Sequence, residues 1–162
     1  MKLPKMIISG GQTGADMGGL VGAKTCGIAT GGCAPRGYRT EIGPRRSLKK
    51  FGLVAHRSPN YRFRTEENVQ KADATIVFSV DRKSAGTVLT LSACRKFKKR
   101  VLLIDPFGVS VNEAVTEIKA FIGAFQPAVL NVAGNRESIA PGIADRVAKI
   151  IYFSFLEDSY EI

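Results

Sequence analysis

The sequence Ile7-Ile8-Ser9-Gly10-Gly11-Gln12-Thr13-Gly14-Ala15-Asp16 decides how the rest of the chain is interpreted. A short apolar strand is followed by a glycine-rich turn and by the first turn of a helix. Three glycines within five residues allow a sharp turn and let a ligand approach the backbone closely. The first amides of a helix have no partners within it and lie at the positive end of its dipole. The stretch therefore predicts an anion site, most simply for phosphate.

The turn differs from two common nucleotide-binding motifs. A Walker A loop ends in Gly-Lys-Ser/Thr, whereas the chain continues from Gly14 to Ala15 and Asp16 without a lysine. The dinucleotide fingerprint Gly-x-Gly-x-x-Gly has Ser9 at its first glycine, and no acid follows the second predicted strand to bind a ribose diol. Phosphate binding without ordinary NAD binding is therefore expected, and a turn that binds nothing is the alternative.

Length and composition predict an ordinary globular protein. The 162 residues fit a single domain, 1–162, of which 44% are hydrophobic and 23% are charged. No apolar run approaches the roughly 20 residues of a membrane span, and none resembles a secretory leader. Three cysteines without a Cys-x-x-Cys pair and a single histidine predict reduced thiols, a cytoplasmic location and no metal site.

The net charge of +10 favours anionic partners such as nucleotides, phosphorylated cofactors or nucleic acid. Much of it comes from two basic runs at 45–50 and 95–100, which we interpret as solvated helical surfaces. The chain contains neither an RNA-recognition motif nor a helix-turn-helix pattern, so nucleic acid is the least favoured of these partners.

Short apolar runs alternate with amphipathic ones, which predicts a three-layer α/β Rossmann-like fold. Strands are expected at 6–8, 28–30, 53–55, 74–78, 101–105 and 128–132. Helices are expected at 15–26, 61–72, 87–98, 111–125 and 141–156. The sheet should be doubly wound and mostly parallel, with helices on both faces. The common strand order 3-2-1-4-5-6 would place the first and fourth strands side by side, with the ligand at this switch point.

Two loops supply candidate phosphate ligands at the predicted switch point. The first is the opening turn, and the second ends in Ser84-Ala85-Gly86-Thr87 at another helix start. Two helix N-termini that face one cleft would form a strong anion site. The alternative for the second loop is a plain helix cap provided by Ser84 or Thr87.

A long, irregular stretch, 31–46, carries arginines, Tyr38 and Glu41. Guanidinium groups bind phosphate with two bonds, and the Tyr38 ring could stack on a base or a pterin. A surface lid with scattered charges is the alternative. Glu66 and Asn68 could orient a ligand, and the alternative is that Thr65 and Glu66 merely serve the start of the helix. Arg36, Arg39 and Arg64 would neutralise the charge of the ligand. The candidate binding residues are Ser9, Gly10, Gly11, Gln12, Thr13, Gly14, Asp16, Arg36, Gly37, Tyr38, Arg39, Glu41, Arg64, Asn68, Ser84, Gly86 and Thr87.

Five motifs, at 8–16, 30–41, 64–69, 84–87 and 131–138, closely resemble those of the molybdenum carrier family. That family belongs to the SLOG superfamily of Rossmann-like ligand binders, together with the YpsA-like and LOG-like groups. The resemblance covers nearly the whole chain and implies a carrier that binds molybdenum cofactor (molybdopterin). It also implies a homo-oligomer, with molybdoenzymes or cofactor-synthesis proteins as partners. The sticky face of such an oligomer could include Tyr152, Phe153 and Phe155, although these aromatic residues could equally be core.

Two departures from related sequences bear on function. Relatives commonly have Thr-Glu-Asp-Gly where this chain has Ile42 in place of the second acid. LOG-like phosphoribohydrolases carry a catalytic glutamate at the position of Thr90, which favours a binding protein over a hydrolase. The alternative is a nucleotide-processing enzyme or nucleotide sensor, with Glu41, Glu66 or Asp16 as its acid or base.

Overall fold

The central feature of the fold is a six-stranded sheet in which all neighbouring strands are parallel. The structure is a computed structural model and describes residues 1–157. Its strands are β1 (Met6–Ile8), β2 (Ala29–Ala34), β3 (Arg39–Thr40), β4 (Gly43–Pro44), β5 (Leu53–Ala55), β6 (Ala74–Phe78), β7 (Arg100–Ile104) and β8 (Val129–Gly134). Its helices are α1 (Ala15–Thr25), α2 (Tyr61–Lys71), α3 (Ala85–Lys96), α4 (Val111–Phe125) and α5 (Ile143–Phe155).

The predicted fold class is confirmed, but the predicted strand order is wrong. The order is β5-β2-β1-β8-β6-β7, so the last strand lies between the first strand and β6. In register terms, Ile7 is opposite Leu130, and Val132 is opposite Ile76. These four side chains are fully buried, and similar apolar strands carry no information about which of them become neighbours. The residues that follow β8 are consequently brought to the middle of the sheet.

Helices cover both faces of the sheet. Helices α1, α4 and α5 pack on one face around the main core, and α2 and α3 pack together on the other. Helix α1 lies unusually close to its neighbours, because a Cβ on Gly18 would be 2.5 Å from the Ala144 carbonyl oxygen. A Cβ on Gly19 would be 2.7 Å from Val132. This close packing fixes the start of α1 relative to β8.

The last two helices follow their predicted apolar patterns. Ala114, Ile118 and Ile122 of α4 are completely buried, as the three- and four-residue spacing predicts. In α5, Phe155 is core whereas Phe153 is 43% exposed. Of these two rings, only Phe153 is available to the predicted oligomer contact, and the oligomer itself remains a prediction. Within residues 1–157, no helix combines the length and apolarity needed to span a membrane.

The stretch 31–46 is more regular than predicted. Strand β2 continues to Ala34, and β3 pairs with β4 in a short antiparallel ribbon. The Asn68 side chain extends this order, because it accepts from the Cys33 amide (2.8 Å) and donates to the Cys33 carbonyl (2.9 Å). An extended backbone held by α2 therefore replaces much of the expected loop.

Candidate functional site

A cleft of about 380 Å³ opens where β1 and β8 end and where α3 begins. The face of α2 that carries Tyr61, Arg64 and Asn68 forms one wall. The cleft is lined by Gly10, Gln12, Asp16, Tyr61, Arg64, Thr65, Asn68, Ser84, Ala85, Gly86, Leu89, Thr90, Asn131, Ala133, Gly134, Asn135, Arg136, Ser138 and Ile139. This location, at the carboxyl ends of parallel strands, is where ligands bind in open α/β sheets.

The amides of the turn after β1 are largely occupied by the chain itself. The Gln12 amide donates to Asp16 Oδ2 (3.0 Å), and the Thr13 amide donates to the Gln12 side chain (3.0 Å). At the start of α1, the Ala15 amide donates to the carbonyl of Asn135 (3.0 Å). Protein acceptors thus stand at these three amides, where the ligand was expected, and phosphate binding by this turn stays a prediction.

The segment after β8 closes the N-terminus of α1. Gly14 has φ +83°, and a Cβ there would lie 2.4 Å from the Asn135 carbonyl oxygen. Glu41 accepts from the hydroxyls of Thr13 and Ser138 and joins the two loops. Although desolvation raises the pKa of Glu41, the hydrogen bonds from Ser138 and Thr13 outweigh it and lower the pKa below the usual 4.5. Glu41 is therefore an ionised carboxylate that joins the two loops beside the cleft, which we call the clasp. Glu41 does not line the cleft.

The N-terminus of α3 is open. The amides of Ala85, Gly86 and Thr87 have no hydrogen-bond partner among residues 1–157, and a Cβ on Gly86 would meet nothing within 4 Å. Ser84 precedes them and donates to Thr87 Oγ1 (2.8 Å), and Asn135 Nδ2 donates to Ser84 Oγ (2.9 Å). The hydroxyls are thus held in place while the amides remain available, which is the arrangement that binds an anion.

A buried ion pair crosses the floor of the cleft. Arg64 Nη1 lies 3.1 Å from Asp16 Oδ2, and the side chains are 11% and 6% exposed. Gly10 makes room for the guanidinium, because a Cβ there would lie 1.3 Å from Arg64 Nη1. Burial raises the pKa of Asp16, and this effect outweighs the opposing influence of Arg64 and of the Gln12 amide.

Tyr61 is the aromatic residue of the cleft. The guanidinium carbons of Arg39, Arg64 and Arg136 lie 5.3, 5.5 and 5.5 Å from the centre of its ring. This distance is typical of cation–π contact. Tyr38, which was expected to stack on the ligand, instead packs in the small core beside β5, and its hydroxyl donates to a backbone carbonyl there. Tyr61 therefore occupies the place predicted for Tyr38.

The predicted binding residues fall into two groups. Those that line the cleft are Gly10, Gln12, Asp16, Arg64, Asn68, Ser84 and Gly86. Those that do not line it are Ser9, Gly11, Thr13, Gly14, Arg36, Gly37, Tyr38, Arg39, Glu41 and Thr87. Several of the second group support the first. Ser9 Oγ, for example, donates to the Asp16 carbonyl (3.1 Å) at the start of α1.

Sequence reasoning missed four important lining residues: Tyr61, Asn131, Asn135 and Arg136. Asn131 lies in the predicted sixth strand, and Asn135 and Arg136 follow it in a polar cluster that also suited a plain helix cap. Their position became clear only with the true strand order, which places β8 between β1 and β6. The motif at 131–138 was the one available indication.

Among residues 1–157, Asp16 is the one carboxylate that lines the cleft. Glu66, another acid considered above, does not line the cleft and pairs with Arg62 of α2 and Lys96 of α3. Thr90 lines the cleft, and its hydroxyl donates to the Gly86 carbonyl (3.0 Å). No acid from α3 therefore faces the cleft at the LOG-like position.

A second cavity, of about 630 Å³, lies beside β2 and β5 and contains Cys33. Burial and the contact with Glu67 raise the pKa of the Cys33 thiol to about 12, so it is not a nucleophilic thiolate. His56 lies 3.5 Å from the same carboxylate, and its Nδ1 accepts from the Ser58 amide. No cluster of His, Cys, Asp and Glu within residues 1–157 has an arrangement that could hold a metal ion.

Comparison with known proteins agrees with this architecture. The sequence pattern of the circularly permutated YpsA SLOG family matches residues 7–154. A crystal structure described as "Putative molybdenum carrier protein" from Syntrophus aciditrophicus SB is 33% identical and superposes with a TM-score of 0.87. The match covers 94% of this chain and 95% of that chain. None of the curated proteins compared with the chain matches it.

Proposed function

Because the chain belongs to the circularly permutated YpsA SLOG family, we propose that it is a carrier that binds a phosphorylated heterocycle in the cleft. The similarity to a protein described as a molybdenum carrier supports molybdenum cofactor as that ligand. The observation that carries the proposal is the open N-terminus of α3 beside an arginine-bearing cleft. Unpartnered amides at the positive end of a helix favour a phosphate.

The lining residues suit the phosphate and the pterin of the cofactor. Its phosphate would bind the amides of Ala85 and Gly86, with Arg136 as the neighbouring cation. Its pterin would lie in the remainder of the cleft, where Tyr61 offers a ring face and Asn131 a polar side chain. The lining includes neither a thiol nor an imidazole from residues 1–157. The lining residues named above would therefore hold the pterin and the phosphate and would not coordinate the metal. The bound cofactor itself supplies the molybdenum.

A nucleotide-processing enzyme is the second candidate, and Asp16 is the observation that favours it. A buried carboxyl with a raised pKa in a cleft is a common feature of acid–base catalysis. Release of ribose 5-phosphate from AMP or GMP after long incubation would establish this activity. Loss of that release in Asp16→Asn would assign it to the cleft, and intact nucleotides would exclude it.

The proposal is tested by ligand-dependent thermal unfolding of the full chain. The ligands are pterin phosphate, AMP, ADP, ATP, NAD, molybdate and phosphate. A ligand at about 100 times its Kd should add roughly 2.7 kcal/mol to the free energy of unfolding. Stabilisation by the pterin at a lower concentration than by phosphate or molybdate supports the carrier. No stabilisation by any phosphorylated heterocycle would contradict it.

A pair of charge-matched variants locates the binding site. Gly86→Asp places a carboxylate at the open N-terminus of α3, where it stabilises the helix but competes with a phosphate. Gly123→Asp makes the same charge change at an exposed position of α4 with nothing within 4 Å. Stabilisation by the ligand should disappear in the first variant and persist in the second. Equal responses of the two variants would place the ligand elsewhere.

A further inference from the structure

One carboxylate oxygen in the cleft has no partner. Asp16 Oδ2 accepts from both the Gln12 amide (3.0 Å) and Arg64 Nη1 (3.1 Å). Oδ1 of the same group forms no hydrogen bond within residues 1–157, yet it is not sealed in the interior. The Asp16 side chain is only 6% exposed, and that exposure is to the cleft.

A second polar group with no partner belongs to the same part of the cleft. Gln12 is 6% exposed and lines the cleft, and its Nε2 has no hydrogen-bond partner among residues 1–157. Gln12 and Asp16 are adjacent, because the Gln12 amide bonds the Asp16 carboxylate. Nε2 has essentially no accessible surface, so of these two groups only Asp16 Oδ1 can meet a ligand. Largely buried polar groups normally have partners, so an acceptor left without one indicates a ligand that brings a hydrogen-bond donor.

The surrounding charges decide what that ligand can present. Arg64 and Arg136 both lie close enough to act on the Asp16 carboxyl, so a cationic group would be repelled there. A phosphate would be repelled by Asp16 itself, and it has a better site at the open amides of α3. A neutral hydrogen-bond donor remains, such as an N–H group, so the ligand has its anionic end at α3 and a neutral donor at Asp16.

We propose that Asp16 Oδ1 accepts a hydrogen bond from the exocyclic amino group of the bound heterocycle. Asp16 then selects phosphorylated aminopyrimidine-type rings, such as pterins, guanine and adenine, over rings that lack the amino group. This inference rests on the proposed function, because it assumes that a phosphorylated heterocycle binds in the cleft.

The test uses ligand pairs that differ by one amino group. GMP is compared with IMP, AMP with purine riboside 5′-monophosphate, and pterin phosphate with its 2-deamino analogue. Calorimetric titration of the wild-type chain should give about 10- to 100-fold tighter binding of the amino form in at least one pair, the value of a hydrogen bond to a charged acceptor. In Asp16→Ala this ratio should fall to about one.

Two further variants keep the result interpretable. Asp16→Asn retains shape and a neutral acceptor, so it should lower the ratio less than Asp16→Ala does. Arg64→Gln removes the cation that pairs with Asp16, which favours the protonated acid, so it should also lower the ratio. A wild-type ratio near one, or an unchanged ratio in Asp16→Ala, overturns the inference while the carrier function stands. No binding of any phosphorylated heterocycle overturns both.

Discussion

Helices α1 and α3 both begin beside the cleft after polar turns, but within residues 1–157 the first amide of α1 has a protein partner and the first amide of α3 has none. The start of α1 is covered by the segment after β8, whose Asn135 carbonyl accepts from the Ala15 amide (3.0 Å). At α3 the corresponding positions bond no residue within 1–157. The turn that is richer in glycine is therefore the closed one, and the turn with a single glycine is the open one.

The difference shows that a glycine-rich turn allows close approach to the backbone, but does not indicate whether a ligand or another part of the chain makes that approach. At α1 the close approach is made by the chain's own backbone, and the acid in its first turn bonds the turn amide at Gln12. An acid in the first turn favours the helix dipole just as a bound anion does. In α3 no acid occupies the first turn, so that end is left for a ligand.

The largest expected effect comes from adding one methyl group at each helix start. Gly14→Ala should destabilise the fold by about 4 kcal/mol, because its φ is positive and its Cβ would meet Asn135 at 2.4 Å. Gly86→Ala should change stability by less than about 1 kcal/mol, since its Cβ meets nothing. Urea unfolding measures both. Equal effects would mean that the two ends are packed alike.

Removal of Arg64, the cation that pairs with Asp16, should have the next largest effect. Arg64→Leu leaves the Asp16 carboxylate buried without its cation, and loss of one partner of a buried pair costs about 3 kcal/mol. Arg36→Leu, at an exposed position outside the cleft, removes the same charge and should cost less than about 0.5 kcal/mol. Chemical denaturation of the two variants makes the comparison, and similar losses would show that the pair contributes little.

Two tyrosine variants compare the open cleft with the closed core beside β5. Tyr61→Leu should weaken binding of the phosphorylated heterocycle about tenfold, because base–aromatic stacking contributes roughly 1–3 kcal/mol. Tyr38→Leu should leave the Kd unchanged and lower only stability, since its ring packs against Leu48 and Leu53. Titration with the best ligand of the thermal panel measures both. A larger loss of affinity in Tyr38→Leu would indicate that the ligand stacks on Tyr38, as predicted from the sequence.

The smallest effect concerns the clasp over α1. The pKa of Glu41 is lowered in the folded state, so its stabilisation is present above pH 4.5 and is lost as the pH falls through the lowered value. Glu41→Gln should cost about 1 kcal/mol at pH 7 and reduce the acid sensitivity of unfolding. Glu117→Gln, on the exposed side of α4, is the control for charge. Identical pH profiles of wild type and Glu41→Gln would show that the clasp is not ionised.

The fold class was predictable because the residue pattern within each segment identifies it as an apolar strand or an amphipathic helix, and the two types alternate along the sequence. The capping box of Ser110 and Glu113 at the start of α4 is one such local record. The strand order was not predictable, since Ile7, Leu130 and Ile76 offer equally apolar partners. Pairing depends on the complete packing of the sheet, which no single segment determines.

The site was predictable only where it depends on local sequence. Ser84 and Gly86 line the cleft because they immediately precede and begin a helix after a central strand. The exchange of Tyr38 for Tyr61 could not be foreseen, because both rings lie in arginine-rich segments. Occupation of the α1 amides was partly foreseeable, since Asp16 is an acid in the first turn of that helix.

The central position of β8 also has a consequence for synthesis of the chain. A nascent chain that has emerged only as far as α4 lacks β8, the strand that joins β1 to β6, so any part of the sheet formed by then would have an unpaired edge where β8 belongs. Such edges can pair with strands of other chains. Residues 129–136 also provide the Asn135 carbonyl that caps α1 and part of the lining of the cleft, so neither can form before these residues are synthesised. Ligand-binding competence should therefore appear late in translation, in a single step with closure of the sheet.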